Sequence, residues 1–230
     1  MRKYFLVYNS GTNLDVNLLI VARPPKPSPV MEYETVKVPG GKTLYREKGY
    51  SDIEIPVGFN FISKHSNLWD KDWRNIKRWL LSNGDGKLKF CDDLEVFYKV
   101  NKVTIETPTR DMKRLGKFNC VFTCDPYTYF NTEEEELNNL VNNQYEVSRP
   151  IYRIVGNGEL SLTVNNKLIK VNVGQELIID TDKGLCYREG IINNTTLTGN
   201  YEDLYLKEGE NTFEWTGNFR IFITPNWRCV

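Results

Sequence analysis

The runs Ile151-Tyr152-Arg153-Ile154-Val155, Glu159-Leu160-Ser161-Leu162-Thr163-Val164, Lys167-Leu168-Ile169-Lys170-Val171-Asn172-Val173 and Glu176-Leu177-Ile178-Ile179-Asp180 decide the fold of the second half. Apolar and polar residues alternate in them with a period of two, the signature of strands with one buried face. The runs are punctuated by Gly156-Asn157-Gly158, Asn165-Asn166 and Val173-Gly174. Asn165-Asn166 suits a two-residue hairpin, because Asn tolerates the positive φ such turns require. Further runs follow at Leu185 to Arg188, Tyr201 to Leu206, Asn211 to Trp215 and Phe219 to Thr224. About eight short strands without a helical period predict a β-sandwich of jelly-roll type.

Upstream, the first half also reads as strands, with a single helix. Ile53, Ile55 and Val57 share one face, continued by Phe59 and Phe61, and Phe118, Cys120, Phe122 and Cys124 share another. Further strands are expected near Lys87 to Cys91, Glu95 to Glu106 and Lys113 to Cys124, the last broken by Asp125-Pro126-Tyr127. Tyr33 to Val38 alternates as a half-buried strand should and stops at Pro39-Gly40-Gly41. Before it, Pro24, Pro25, Pro27 and Pro29 forbid regular pairing and predict an extended loop or exposed arm.

The helix is expected over residues 68–82. Trp69, Trp73, Ile76 and Leu80 recur at i, i+4, i+7 and i+11 and form one stripe for a sheet to cover. Asn67 is the expected cap and Asn83-Gly84 the stop. Lys71, Arg74, Lys77 and Arg78 lie away from the stripe and form a basic, solvated face. Nucleic-acid binding calls for a larger basic excess or a recognisable module.

The chain has 230 residues, enough for two domains with their own cores, and its 30 basic and 30 acidic residues cancel. The cancellation hides a split. Up to Phe130 there are 21 basic and 15 acidic residues; from Asn131 there are 9 and 15. The polar, weakly helical run from Asn131 to Asn143 separates the halves, so the expected domains are 1–130 and 131–230. The reading is mainly β: an α+β N-terminal domain with one helix packed on a sheet, then a β-sandwich.

Composition narrows the chemistry. His65 is the only histidine, expected in an ordinary loop position, and no GxSxG, GxxxxGK[ST] or HExxH motif accompanies it. Cys120 and Cys124 would stand about 13 Å apart on one strand, too far for a disulfide or for two ligands of one zinc. The acidic pairs Asp92-Asp93 and Asp180 with Asp182 sit in expected turns. No catalytic residue, metal ligand or cofactor is therefore assigned. No apolar run approaches the roughly 20 residues of a membrane span. Met1 to Tyr8 reads as a first strand rather than a signal segment, which predicts a protein made and kept in a cytoplasm.

Several of these stretches, in order, resemble the distal tail proteins of long, non-contractile-tailed bacteriophages. Val36-Lys37-Val38-Pro39-Gly40-Gly41-Lys42-Thr43-Leu44, followed by Gly49-Tyr50-Ser51-Asp52-Ile53-Glu54-Ile55, is similar to a family segment in which Arg-Asp is usual and is here replaced. The helix Trp73 to Leu80 comes next, with Gly86-Lys87-Leu88 and Tyr98-Lys99-Val100. Phe118 to Tyr127 is similar to the strand end that closes the family's N-terminal domain. In the second domain the matching pieces are Ile154 to Glu159, Thr163-Val164-Asn165, Ile179-Asp180, Gly209-Glu210-Asn211-Thr212 and Pro225-Asn226-Trp227-Arg228.

The resemblance implies a non-enzymatic virion protein that forms a hexameric ring at the tail tip, with assembly in the host bacterial cytoplasm. N-terminal domains would build the ring around a channel through which DNA passes as cargo, and galectin-like C-terminal domains would lie outside. Implied partners are copies of the chain itself, the major tail-tube protein, a tail-associated or tail-lysin protein, and a receptor-binding protein. Candidate contacts are Pro24, Pro25, Pro27 and Pro29, the Pro39-Gly40-Gly41 turn with its hairpin, and Lys71, Arg74 and Arg78. The alternative is a carbohydrate-binding module, for which Trp215 and Trp227 are the available stacking rings, although both positions read as structural.

Overall fold

The computed structural model describes residues 4–230. Of the expected first strand, Met1 to Lys3 lie outside the described residues. The protein is mainly β and forms two compact units, the first running to Thr128 and the second spanning Tyr129–Cys229.

In the first unit, β1 (Leu6–Tyr8), β2 (Gly11–Thr12) and β3 (Leu18–Ile20) are followed by a separate hairpin, β4 (Met31–Lys37) and β5 (Thr43–Tyr50). Then come β6 (Ile53–Ile62), helix α1 (Trp69–Leu80), β7 (Lys87–Phe90), β8 (Asp93–Ile105) and β9 (Leu115–Phe130). The main sheet has the order β2-β1-β7-β8-β9-β6-β3. Its centre is the alternation seen in the sequence. Ile53, Ile55, Val57 and Phe59 pair across the ladder with Cys124, Phe122, Cys120 and Phe118, and all eight side chains are buried.

Helix α1 covers that face. Trp69, Ile76 and Leu80 are buried, and the Trp69 and Trp73 rings lie against Phe61 and Phe118. Trp79, off the stripe, donates its Nε1 hydrogen to the carbonyl of Tyr8 (3.1 Å). The start differs from the expected cap. Asn67 belongs to a 3-10 turn, Ser66–Leu68, and Leu68 precedes the helix without a side-chain cap. Strand β9 also runs on through Pro126. Its pairing with β6 ends at Cys124, so Pro126 withholds no hydrogen from that ladder.

Asn13 joins the two margins of the sheet. Its fully buried side chain accepts from Leu6 N (2.9 Å) on β1 and donates to Leu18 O (2.8 Å) on β3.

The second unit contains β10 (Glu135–Glu136), β11 (Leu140–Asn143), β12 (Ile151–Val164), β13 (Lys167–Asp180), β14 (Leu185–Arg188), β15 (Ile191–Ile192), β16 (Leu197–Thr198), β17 (Gly209–Trp215) and β18 (Arg220–Thr224). The four runs that open the sequence analysis are two long strands. Asn165 and Asn166, at φ 51° and 65°, make the expected tight turn between them. Gly156, Asn157 and Gly158 stay in register with Gln175, Gly174 and Val173, so this segment bends the hairpin without ending a strand.

The bend makes a sandwich. Phe213 pairs with Val164, twelve residues along β12 from Tyr152, a distance of about 40 Å in a straight strand. Yet the Tyr152 and Phe213 rings are 6.5 Å apart. One half of the hairpin pairs with β18 and β14, the other with β17 and β16, and both halves turn the same face to one core. The Gly-Glu-Asn turn is explained by Asn211, fully buried, whose amide bonds Lys207 N, Lys207 O and Gly209 O.

The run read as a weakly helical linker belongs to the second unit and is not helical: Glu135–Glu136 form β10 and Leu140–Asn143 form β11, with irregular backbone around them. Arg153 grips Glu134 through two nitrogens (2.8 and 2.7 Å) and lies over the Phe222 ring, and Arg220 bonds Glu136 (3.1 Å). The hydrogen bond from Arg153 lowers the pKa of Glu134. Leu137, next in the chain, is buried in the core of the second unit.

Candidate assembly surface

Alternation predicts that Tyr33 to Val38 is half-buried. The structure places it differently. Among the described residues β4 pairs only with β5, from Met31↔Tyr50 to Lys37↔Thr43, and neither strand joins another sheet. Tyr45 is 69% exposed, Leu44 57%, Tyr33 52% and Val36 49%. A hydrophobic residue at that exposure in an isolated two-stranded ribbon contributes nothing to its own core, and such ribbons are marginal alone. Tyr33 and Tyr45 meet edge to face (6.3 Å) on one side of the ribbon, while Val36 and Leu44 pair on the other. Both faces therefore carry apolar side chains.

The candidate contact residues fall into two places. Pro24, Pro25, Pro27 and Pro29 form the extended entry to the ribbon, closed at its base by Ser51 N donating to Val30 O (2.9 Å). Pro39, Gly40 and Gly41 are its exposed tip, where Gly40 takes φ 73° and Gly41 N donates to Val38 O (2.9 Å). These belong to one projecting arm. Lys71, Arg74 and Arg78 are exposed on α1, a separate element from the arm. Lys77 is half-buried, its ammonium over the Trp73 ring (5.6 Å).

Sequence reasoning placed the turn and its hairpin among the candidate contacts but took Tyr33 to Val38 for a half-buried strand, and so missed the exposed apolar faces of the ribbon. The available signal was its second strand. Thr43 to Tyr50 is charged, with no apolar face to match the first, and the ribbon is fenced by four prolines.

His65 is exposed in the loop before α1. Cys120 and Cys124 are buried, and burial pushes both thiols up to about 12, so they stay protonated and unreactive at neutral pH. No group of three His, Cys, Asp or Glu among the described residues is placed to hold a metal. Trp215 and Trp227 pack against the core of the second unit.

No family model and no curated protein matches the sequence. Solved structures do. The SPP1 Dit protein, a hub of the adsorption apparatus in phages that infect Gram-positive bacteria, superposes over 100% of both chains with a TM-score of 0.71 at 15% identity. The chain has the Dit fold. A chain of the phage P2 baseplate, in its activated conformation with Ca, matches over 100% of this chain and 99% of that one (TM-score 0.58, 9% identity). The same baseplate with Sr matches over 97% of each (TM-score 0.56, 9% identity). At such identities the likeness is one of fold. For the Dit fold, it covers both units in their order along the chain.

Proposed function

We propose that this chain is a structural hub at the distal end of a long, non-contractile phage tail. Six copies form a ring through their N-terminal units, around a channel for DNA, with the galectin-like C-terminal units outside. The ring joins the major tail-tube protein to a tail-associated or tail-lysin protein, with a receptor-binding protein as a further neighbour. It is assembled in the cytoplasm of the host bacterium and ends at the tip of the virion tail.

The observation that carries this reading is the full-length likeness to the SPP1 Dit hub, with an arm whose apolar faces have no partner among the described residues. An unpaired ribbon is suited to a neighbour, and a contact between different surfaces of identical subunits closes into a ring when its rotation permits.

Size-exclusion chromatography with light scattering over a range of concentrations tests the proposal. The expected mass is six times the 26.8 kDa protomer, approached as concentration rises. A strict monomer at high concentration that binds a glycan array would instead establish the lectin reading.

A further inference from the structure

Two surfaces of opposite charge stand without partners. On α1, Lys71, Arg74 and Arg78 recur at i, i+3 and i+7, so they share one side of the helix over about 10 Å. All three are exposed, and among the described residues none of their side chains forms an ion pair. Leu81, 59% exposed, extends the stripe at the end of the helix.

On β17 the alternation turns Glu210, Thr212 and Glu214 outward, with Asn211 and Phe213 buried between them. Glu208 is exposed just before the strand, and among the described residues none of the three glutamates forms an ion pair. Glu210 and Glu214 stand about 13 Å apart along the strand. Leu140, 54% exposed, pairs with Thr212 between them. By contrast, Glu134, Glu136 and Glu176 are matched by Arg153 and Arg220. Like charges repeated along one face repel one another, and an opposite surface laid over them removes that cost.

Resting on the hub reading, we infer that the basic stripe of α1 docks on the acidic face of β17 in a second copy of this chain. The spans match, two turns of helix against five residues of strand, and each surface brings one exposed leucine to the contact. Each copy offers one surface of each kind. The two surfaces differ, so the contact is head-to-tail, the kind that closes into rings. Exposed charges supply direction and register more than affinity, because a wrong register sets like charges together.

The test uses two full-length charge reversals. Arg74→Glu with Arg78→Glu makes a chain acidic on both surfaces, and Glu210→Lys with Glu214→Lys makes one basic on both. All four positions are exposed, so each variant should keep the thermal midpoint of the parent. Alone, each should need about tenfold or more the parental concentration to assemble at low salt, as read by light scattering. An equal mixture of the two should assemble at the parental concentration. There the acidic stripe of one variant meets the new lysines of the other, and the unchanged stripe meets unchanged glutamates. Should a reversal lower the thermal midpoint, Arg74→Gln with Arg78→Gln replaces it. That variant should flatten the rise in assembly concentration that the parent shows up to about 0.5 M NaCl.

If both reversals assemble as the parent does, or the mixture does no better than its components, the docking is overturned and the hub reading stands. A salt dependence unchanged in the glutamine variant overturns the docking as well. A parent chain that stays monomeric at every concentration overturns the hub reading itself.

Discussion

The ring of Phe219 occupies the space that a β-carbon on Gly156 would need. Gly156 is the inner side of the bend that turns the β12–β13 hairpin over its own core, and backbone and ring meet there directly. Gly156→Ala should therefore destabilise the protein by about 1–3 kcal/mol, the cost of overpacking a filled core. Gly174→Ala, on the partner strand at the same bend, is the control. A β-carbon there meets only Arg188 Nη1, at 3.8 Å, and the change should stay within about 0.5 kcal/mol. Chemical denaturation of the two variants side by side decides it.

Asn13 makes a similar prediction for the first unit. Asn13→Ala strips the buried Leu6 amide and Leu18 carbonyl of the side-chain partner each has. Each such loss costs about 1–3 kcal/mol. A lower urea midpoint and faster hydrogen exchange at the Leu6 amide are expected; unchanged exchange would mean the amide has another partner.

Alkaline pH should weaken the first unit through its buried thiols. Below pH 9 the thiols of Cys120 and Cys124 are protonated both folded and unfolded, and their contribution is constant. Above pH 9 the unfolded thiols ionise while the folded ones, raised to about 12, hold their protons. Stability then falls as pH climbs, by up to about 1.4 kcal/mol per pH unit for each thiol. Cys120→Val with Cys124→Ala should flatten the slope between pH 9 and 11. Iodoacetamide at neutral pH should leave both cysteines unlabelled in the native protein.

The arm can be removed without touching a core. Replacing Met31 to Tyr50 by a short Gly-Ser linker should change unfolding by less than about 0.5 kcal/mol, because none of those residues is buried. The same deletion should leave the protomer as the species seen by light scattering at concentrations where the parent assembles.

What the sequence disclosed follows from what is local. The period of two in Ile53 to Phe61 and Phe118 to Cys124, the stripe on α1 and the Asn165-Asn166 turn are set by neighbours a few residues away, and the structure has them all. What escaped depends on distant partners. Gly156-Asn157-Gly158 looks the same whether a strand ends or bends, and only its register with residues 173–175 decides. Glu134 and Glu136 read as solvated linker because the arginines that hold them, Arg153 and Arg220, lie 19 and 84 residues away. Tyr33 to Val38 alternates as a half-buried strand does, and alternation does not say whether the covering surface belongs to the same chain. For that reason the entry, the tip and the hairpin after it read as candidate contacts while the exposure of Tyr33 to Val38 did not.

The ribbon β4–β5 has both long margins open, each a row of backbone donors and acceptors. Until it is covered, such an element is an aggregation hazard, able to add a strand from any unfolded or foreign chain. Lys37, Lys42, Arg46 and Lys48, with Pro39 at the tip, are the residues that discourage indiscriminate strand addition. The arm thus carries gatekeepers beside its exposed apolar side chains, and under the proposed hub role these would keep a free protomer dispersed until it meets its partners.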